Sequence, residues 1–192
     1  MSVYSRTFAG HIIAGLVTAV ALLSGSAQAA PYRFDTTSAD VRFAYTMGFS
    51  DGQGRFTGVT GTAEINDATP ARSAVDVTID TRTLKSADSL AQGQLRGASF
   101  FAVATYPQMH FKSRTIRGTS PTTFEITGDM TVKGITKPIV LQVELQLPNK
   151  SGVRQMRATT RIRRSQFGMD ALSFLVGDIV LIEIRSPLVA VR

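Results

Sequence analysis

Apolar and polar residues alternate one for one along much of this chain. From 139 to 147, Ile139, Leu141, Val143, Leu145 and Leu147 fall on one side of an extended backbone, with Val140, Gln142, Glu144 and Gln146 on the other. Successive side chains of a strand point to opposite faces, so a strict period of two over this length predicts a half-buried antiparallel strand. The preceding run agrees: Phe124, Ile126, Met130 and Val132 oppose Glu125, Thr127, Asp129, Thr131 and Lys133. Lys133-Gly134-Ile135-Thr136-Lys137-Pro138 joins the two. Gly134 supplies a positive φ, and Pro138 starts the return strand where no amide donor is needed. The result is a hairpin with one dry face. Alternation alone does not say whether that face covers a filled core or an open lumen.

The rest of the chain follows the same rhythm. Val41, Phe43, Tyr45, Met47 and Phe49 alternate with Asp40, Arg42, Ala44, Thr46 and Gly48; Val75, Val77 and Ile79 alternate with Asp76, Thr78 and Asp80. Met109 and Phe111 oppose His110 and Lys112, while Met156, Ala158, Thr160 and Ile162 face away from Arg157, Arg161 and Arg163. Ile179, Leu181 and the run to Val191 close the chain. Turn signals at Asn66-Asp67, 117–121 and 148–152 separate these runs at spacings typical of an all-β sandwich or barrel. The stretch "GQGRFTG", 52–58, carries Phe56 among glycines; it is neither a dinucleotide fingerprint nor a P-loop, and a bulged or sharply coiled strand accounts for it.

Residues 86–106, "SADSLAQGQLRGASFFAVATY", break the rhythm. Ser86 or Asp88 caps a short helix whose Leu90 and Leu95 share one side, and Gly93 and Gly97 weaken it. Phe100, Phe101 and Val103 follow in a loop-like stretch. The segment reads either as a lid over the end of a barrel or as ordinary packing beneath a connection.

Composition narrows the picture. Arg6, the uncharged apolar run 12–23 and Ala27-Gln28-Ala29 form the three parts of a cleavable signal peptide, 1–29, which predicts export to the periplasm. The remainder, 30–192, is a normal size for one domain. Its net charge is +6, since the removed segment holds one Arg and no acid of a total of +7. That charge favours anionic partners and speaks to association rather than fold. There is no cysteine, so disulfides, thiolate metal sites and iron–sulfur clusters are excluded.

Four stretches, "LRGASFFAVATYPQMHFKS", "ITGDMTVKGITKPIVLQVEL", "RIRRSQFGMD" and "VGDIVLIEI", occur in an order and spacing that resemble the YceI-like family of exported lipid-binding proteins, from Tyr32 to the C-terminus. The resemblance implies an all-β fold, a single antiparallel lipocalin-like barrel with one short helix or lid segment. Its interior would hold a long isoprenoid lipid, either a polyprenyl phosphate or an isoprenoid quinone such as ubiquinone, as a bound ligand and not a covalent cofactor. A homodimer is also implied. Candidate ligand contacts are Phe43, Tyr45, Phe49, Phe56, Met109, Phe111 and Met130 from the strands, Leu90, Leu95, Phe100 and Phe101 from the lid, and Phe167 from the matched "RSQFG". Met and Phe make a wall that adapts to a flexible chain. Gln94, Arg96 and Arg164 are the head-group candidates. Many members carry a His in the first long strand and an Asp-x-His before the Leu-Arg of the lid; here 40–50 hold no His, and Gln92 and Gln94 precede Leu95-Arg96.

Sharper chemistry finds little support. His110, the one histidine after the predicted signal, has outward parity and lacks companions for a triad or a metal site. No loop has EF-hand spacing. The chain therefore reads as a binding protein, not an enzyme, with no catalytic or metal-ligating residues. The arginines of 154–164 read as a solvated outer face, or as a basic patch meeting an anionic membrane surface or a membrane redox protein such as a cytochrome, with any bound lipid incidental. Nucleic acid is disfavoured by export and by the lack of interleaved aromatics.

Overall fold

The computed structural model describes residues 28–191; the predicted signal segment lies outside the described residues but for its last two positions. Ten strands run in chain order: β1 (Ala30–Phe34), β2 (Asp40–Met47), β3 (Ser50–Phe56), β4 (Gly58–Ile65), β5 (Ala74–Asp80), β6 (Gln108–Gly118), β7 (Thr123–Val132), β8 (Ile135–Leu145), β9 (Val153–Arg163) and β10 (Val176–Ala190). One α-helix, α1 (Ser89–Arg96), lies between β5 and β6. Pairing is antiparallel throughout, in the order β1-β4-β5-β6-β7-β8-β9-β10, and β1 pairs back onto β10 to close an eight-stranded barrel. The long β10 makes closure possible. Its last residues pair with β1, while its first half pairs with β2, from which the β2–β3 hairpin continues.

The alternation predicts most of this. β7 buries every second residue from Phe124 to Val132, and β8 does so from Leu141 to Leu145. Two details of the hairpin differ. Its loop is two residues long, Lys133 and Gly134, with φ of 50° and 76°; two positive φ values make the tight turn that matches strand twist. Pro138 therefore lies inside β8, opposite Asp129, and not at its start. The ring is tolerated because β8 pairs with β9 only over Gln142 to Leu145, leaving its first half unpaired on that side. Across this open seam Thr160 Oγ1 donates to the Val140 carbonyl at 2.7 Å. The strand also ends at Leu145, so Leu147 is exposed.

The glycine-rich stretch has another cause than a bulge. β2 and β3 pair in unbroken register from Val41↔Phe56 to Met47↔Ser50. Gly54 faces Phe43 and Gly52 faces Tyr45. A Cβ on Gly54 would lie 2.2 Å from Phe43 Cζ, and one on Gly52 would lie 2.3 Å from Tyr45 Cζ. Each glycine thus lets the opposing ring lie flat across the sheet. Gly128 does the same for Phe111, at 2.5 Å.

One end of the barrel gathers the β2–β3 and β7–β8 turns, the β5–β6 connection with α1, and the β9–β10 connection. Asp88 caps α1, accepting from the Leu90 and Ala91 amides at 2.8 and 3.2 Å. Lys133 Nζ donates to the carbonyls of Ala98 and Gly168 at 3.0 and 2.9 Å, tying the lid and the β9–β10 connection to the hairpin. No helix among the described residues is long and apolar enough to cross a membrane.

Candidate functional site

The inward faces of the strands pack into one apolar cluster but do not fill the barrel. They enclose a slender cavity of about 160 Å³ that touches the barrel wall along its length. At the end away from the lid the wall is Ile65, Phe124, Leu145 and Leu188; Val77, Phe111, Met130, Leu141 and Ile182 line its middle. At the lid end it is Phe43, Tyr45, Phe56, Met109 and Met169, covered by Leu95, Phe100 and Phe101. The rings there are locked together: Phe43 and Phe56 stack at 5.5 Å, and Phe101 meets them at 5.5 and 5.1 Å, edge-on to Phe56. Such contacts add about 0.5–1.5 kcal/mol each beyond area burial.

Beyond Tyr45, the polar residues touching this space are Glu64, Ser73, Thr160 and Arg164. Arg164 is 4% exposed. Its Nε and Nη2 donate to the Gly177 and Val176 carbonyls at 3.0 and 2.7 Å, and Nη1 donates to those of Met169 and Ala171. The guanidinium is spent on folding the β9–β10 connection, which corrects its reading as a head-group contact. Tyr45 differs: among the described residues its hydroxyl has no protein hydrogen-bond partner. Burial, aided by the charge of Asp88, pushes this phenol above its usual range and keeps it a donor.

The other candidates sort clearly. Phe43, Tyr45, Phe56, Leu95, Phe100, Phe101, Met109, Phe111 and Met130 all line the cavity. Phe49 does not: β2 ends at Met47, Gly48 turns the chain at φ 60°, and Phe49 stands at the tip, fully exposed. Leu90 is likewise exposed, because five residues place it about 140° around the helix from buried Leu95. Phe167 is completely buried but packs outside the cavity wall. Gln94 is exposed on α1, and half-buried Arg96 holds the lid by donating from Nη1 to the Arg82 carbonyl at 2.8 Å. Alternation left Val180, Ile182 and Ile184 unsingled, since β10 is apolar on both faces; they line the cavity too.

The basic stretch also divides. Arg157, Arg161 and Arg163 are exposed, but Arg154 is wholly buried at the end opposite the lid. Its Nη1 donates to both Asp67 oxygens at 2.8 and 3.1 Å, its Nε donates to the Gln146 carbonyl at 2.9 Å, and it lies 6.0 Å over the Tyr32 ring. His110 lies on the outer side, hydrogen bonded to Asp76 at 2.6 Å. Among the described residues no three His, Asp or Glu side chains gather as metal ligands would.

The family model of the YceI-like domain matches residues 32–187. The chain is 36% identical over 135 residues to Protein YceI of Shigella sonnei (strain Ss046), covering 68% of this chain and 70% of that protein. It is 33% identical over 134 residues to a UPF0312 protein of Ectopseudomonas mendocina (strain ymp), with the same coverage. Among solved structures, BcnA of Burkholderia cenocepacia superposes with a TM-score of 0.74 at 22% identity, covering 80% of this chain and 98% of that one. A polyisoprenoid binding domain from Saccharophagus degradans superposes at 0.66 and 15% identity, covering 85% and 99%. The structural likenesses speak to the barrel; the domain match and the sequence relatives speak to descent, and by them this chain belongs to the YceI-like family.

Proposed function

We propose that this protein binds an isoprenoid lipid, with the apolar chain threaded into the barrel, and carries or sequesters it in the periplasm. The observation that carries this reading is a cavity walled by aliphatic, Met and Phe side chains along the whole barrel, where the charged residues at its border are Glu64, exposed on β4, and Arg164, hydrogen bonded to carbonyls. Such a wall rewards an apolar chain by the hydrophobic effect, roughly 25 cal/mol per Å² removed from water, and offers a charged group nothing. The likeness of fold to a polyisoprenoid binding domain supports the same class of ligand.

Within that class the wall favours a neutral head group, a quinone over a polyprenyl phosphate. Arg164 donates from every nitrogen to carbonyls, so it has no free donor with which to bind a phosphate. The Tyr45 hydroxyl, near the lid, is the donor a quinone carbonyl would take. The free space lies below the ~300–1,000 Å³ of ordinary small-molecule pockets. A long chain would enter as Met109, Met130, Met169 and the lid's Phe101 give way, as flexible thioethers and a half-buried ring allow.

Native mass spectrometry and lipid extraction of protein purified from its own host test the reading. An isoprenoid adduct is expected, with a quinone outnumbering any phosphorylated lipid. Protein that comes away with no apolar ligand, and takes up none when offered, would overturn it. Cell fractionation with amino-terminal sequencing tests export; a mature chain beginning at Ala30 is expected.

A further inference from the structure

The outer face of β9, β10 and β2 takes no part in the cavity, and its register sets apolar side chains among cations. Leu181 lies between Arg161 of β9 and Ala44 of β2, and Ile179 lies beside Arg163. Ile179 and Leu181 are about half exposed. Toward the lid this row runs into two loop tips joined by the Gly48 amide donating to the Leu175 carbonyl at 2.8 Å. The tips carry Phe49 and Phe174, 112% and 87% exposed.

Charge on this face is unbalanced. Among the described residues Arg55, Lys85, Arg161 and Arg163 form no ion pair. Of the acids, Glu183 is held by Arg157 and Arg185, and Asp178 accepts from the Ser165 amide. Asp51 and Asp170 are the exposed acids near the tips.

We propose that this face docks the barrel on an anionic bilayer, with Phe49 and Phe174 entering the interface and Arg161 and Arg163 meeting lipid phosphates. Aromatic side chains standing clear of the protein suit the headgroup boundary, and unpaired cations suit anionic lipid. A second copy suits the face poorly. A two-fold interface sets each patch against itself, bringing unpaired arginines together. The exposed apolar surface, roughly 400–600 Å² from two aromatics and their neighbours, is also short of the ~800 Å² per partner of a standard interface. Docking here turns the lid end toward the membrane. The inference stands whatever fills the cavity, so its failure and that of the lipid-binding reading are separable.

Flotation of the exported protein with phosphatidylcholine vesicles, with and without phosphatidylglycerol, tests it. Binding should need the anionic lipid and weaken sharply by ~0.5 M salt. Arg161→Gln with Arg163→Gln should lower partitioning about fivefold per charge, and Phe49→Ser with Phe174→Ser should abolish stable flotation, while extracted ligand content is unchanged in both. Since the chain has no tryptophan, Phe174→Trp adds a single reporter whose emission should shift to the blue on anionic vesicles. No binding to anionic vesicles, or no blue shift, overturns the proposal. So does a solution dimer that the arginine substitutions split, or capture of an acidic protein on this face without vesicle binding.

Discussion

Replacing Gly54 with alanine asks one methyl group to occupy space a ring already holds. The added Cβ would lie 2.2, 2.7 and 3.0 Å from Cζ, Cε1 and Cε2 of Phe43. Carbon atoms rest at about 3.5–4.0 Å, so the ring must withdraw by at least ~1.3 Å. It has nowhere neutral to go. Phe56 and Phe101 each stand 5.5 Å from it, and beyond them is the cavity. Overpacking of this kind costs about 1–3 kcal/mol, offset by about 0.4–1 kcal/mol from the stiffer unfolded chain. A net loss of up to about 2.6 kcal/mol is expected in denaturant unfolding. Binding should suffer more than stability, because the displaced ring narrows the barrel cavity. Phe43→Leu, added to Gly54→Ala, should restore much of the bound lipid. The same substitution at Gly93 is the control: a Cβ there meets nothing within 4 Å, so Gly93→Ala in α1 should stabilise by up to about 1 kcal/mol. If Gly54→Ala were as stable as Gly93→Ala and kept its full ligand content, the ring-on-glycine account of the wall would be wrong.

Other perturbations probe the ends and the outside. Asp67→Ala should cost about 2–3 kcal/mol, less than the 3–5 of a fully enclosed pair because Asp67 reaches solvent, and more than Arg154→Met, which leaves no charge buried; urea midpoints in the opposite order would refute this. Lys133→Met removes both ties between hairpin and lid, so amides of 97–106 and 168–175 should exchange several-fold faster while those of β7 do not change. Hydrogen bonds hold four carboxyls below their ordinary range: Glu183 by Arg157 and Arg185, Asp80 by Arg82, Asp178 by the Ser165 amide, and Asp35 by Thr37. Their folded values lie below the unfolded ones, so their contribution is whole above about pH 4–5 and is lost as pH falls through the folded values. Thermal midpoints should therefore hold level from neutrality to that point and then decline, with Glu183→Gln flattening the acid limb; a midpoint that climbs on acidification would contradict the sign.

The strands and the lid were legible because each has a local cause. Period-two runs predict β2, β5, β7, β8 and β9, and Asp88 marks the start of α1. What the sequence hid were places where one residue resets the parity. Gly48 turns the backbone, so Phe49 leaves the alternation that Val41 to Tyr45 obey. The register shift between Ser113 and Thr115 puts Ile116, not Thr115, on the inner face with Phe111. β10 was opaque for another reason: Ile179 to Ile182 is apolar at every position, and only the closed barrel decides that Val180 and Ile182 face inward. The role of Gly52 and Gly54 was equally hidden, because it depends on which strand lies opposite. Arg154 and Arg164 have the same composition as the exposed arginines, and the difference between them lies in distant carbonyls and in Asp67.

That division of the arginines explains how a basic chain keeps a neutral interior. Arg154 and Arg164 sit near opposite ends of the barrel, and each is consumed by the chain that passes over it: Gln146 and Asp67 at one end, the four carbonyls of 169–177 at the other. Arg164 has every guanidinium nitrogen hydrogen bonded, whereas Arg154 keeps one buried nitrogen, Nη2, without a partner and has its charge offset by the Asp67 carboxylate. Both ends of the wall are thus pinned by buried guanidinium groups that bond within the protein. Arg55, Lys85, Arg161 and Arg163, which form no ion pair among the described residues, lie on the outer face, where water solvates them at little cost. Selectivity inside and attraction outside are separated by one layer of sheet. Substitution of Arg164 should therefore unfold the β9–β10 connection before it changes which lipid is bound, whereas substitution of Arg161 should change where the protein binds and leave its cargo alone.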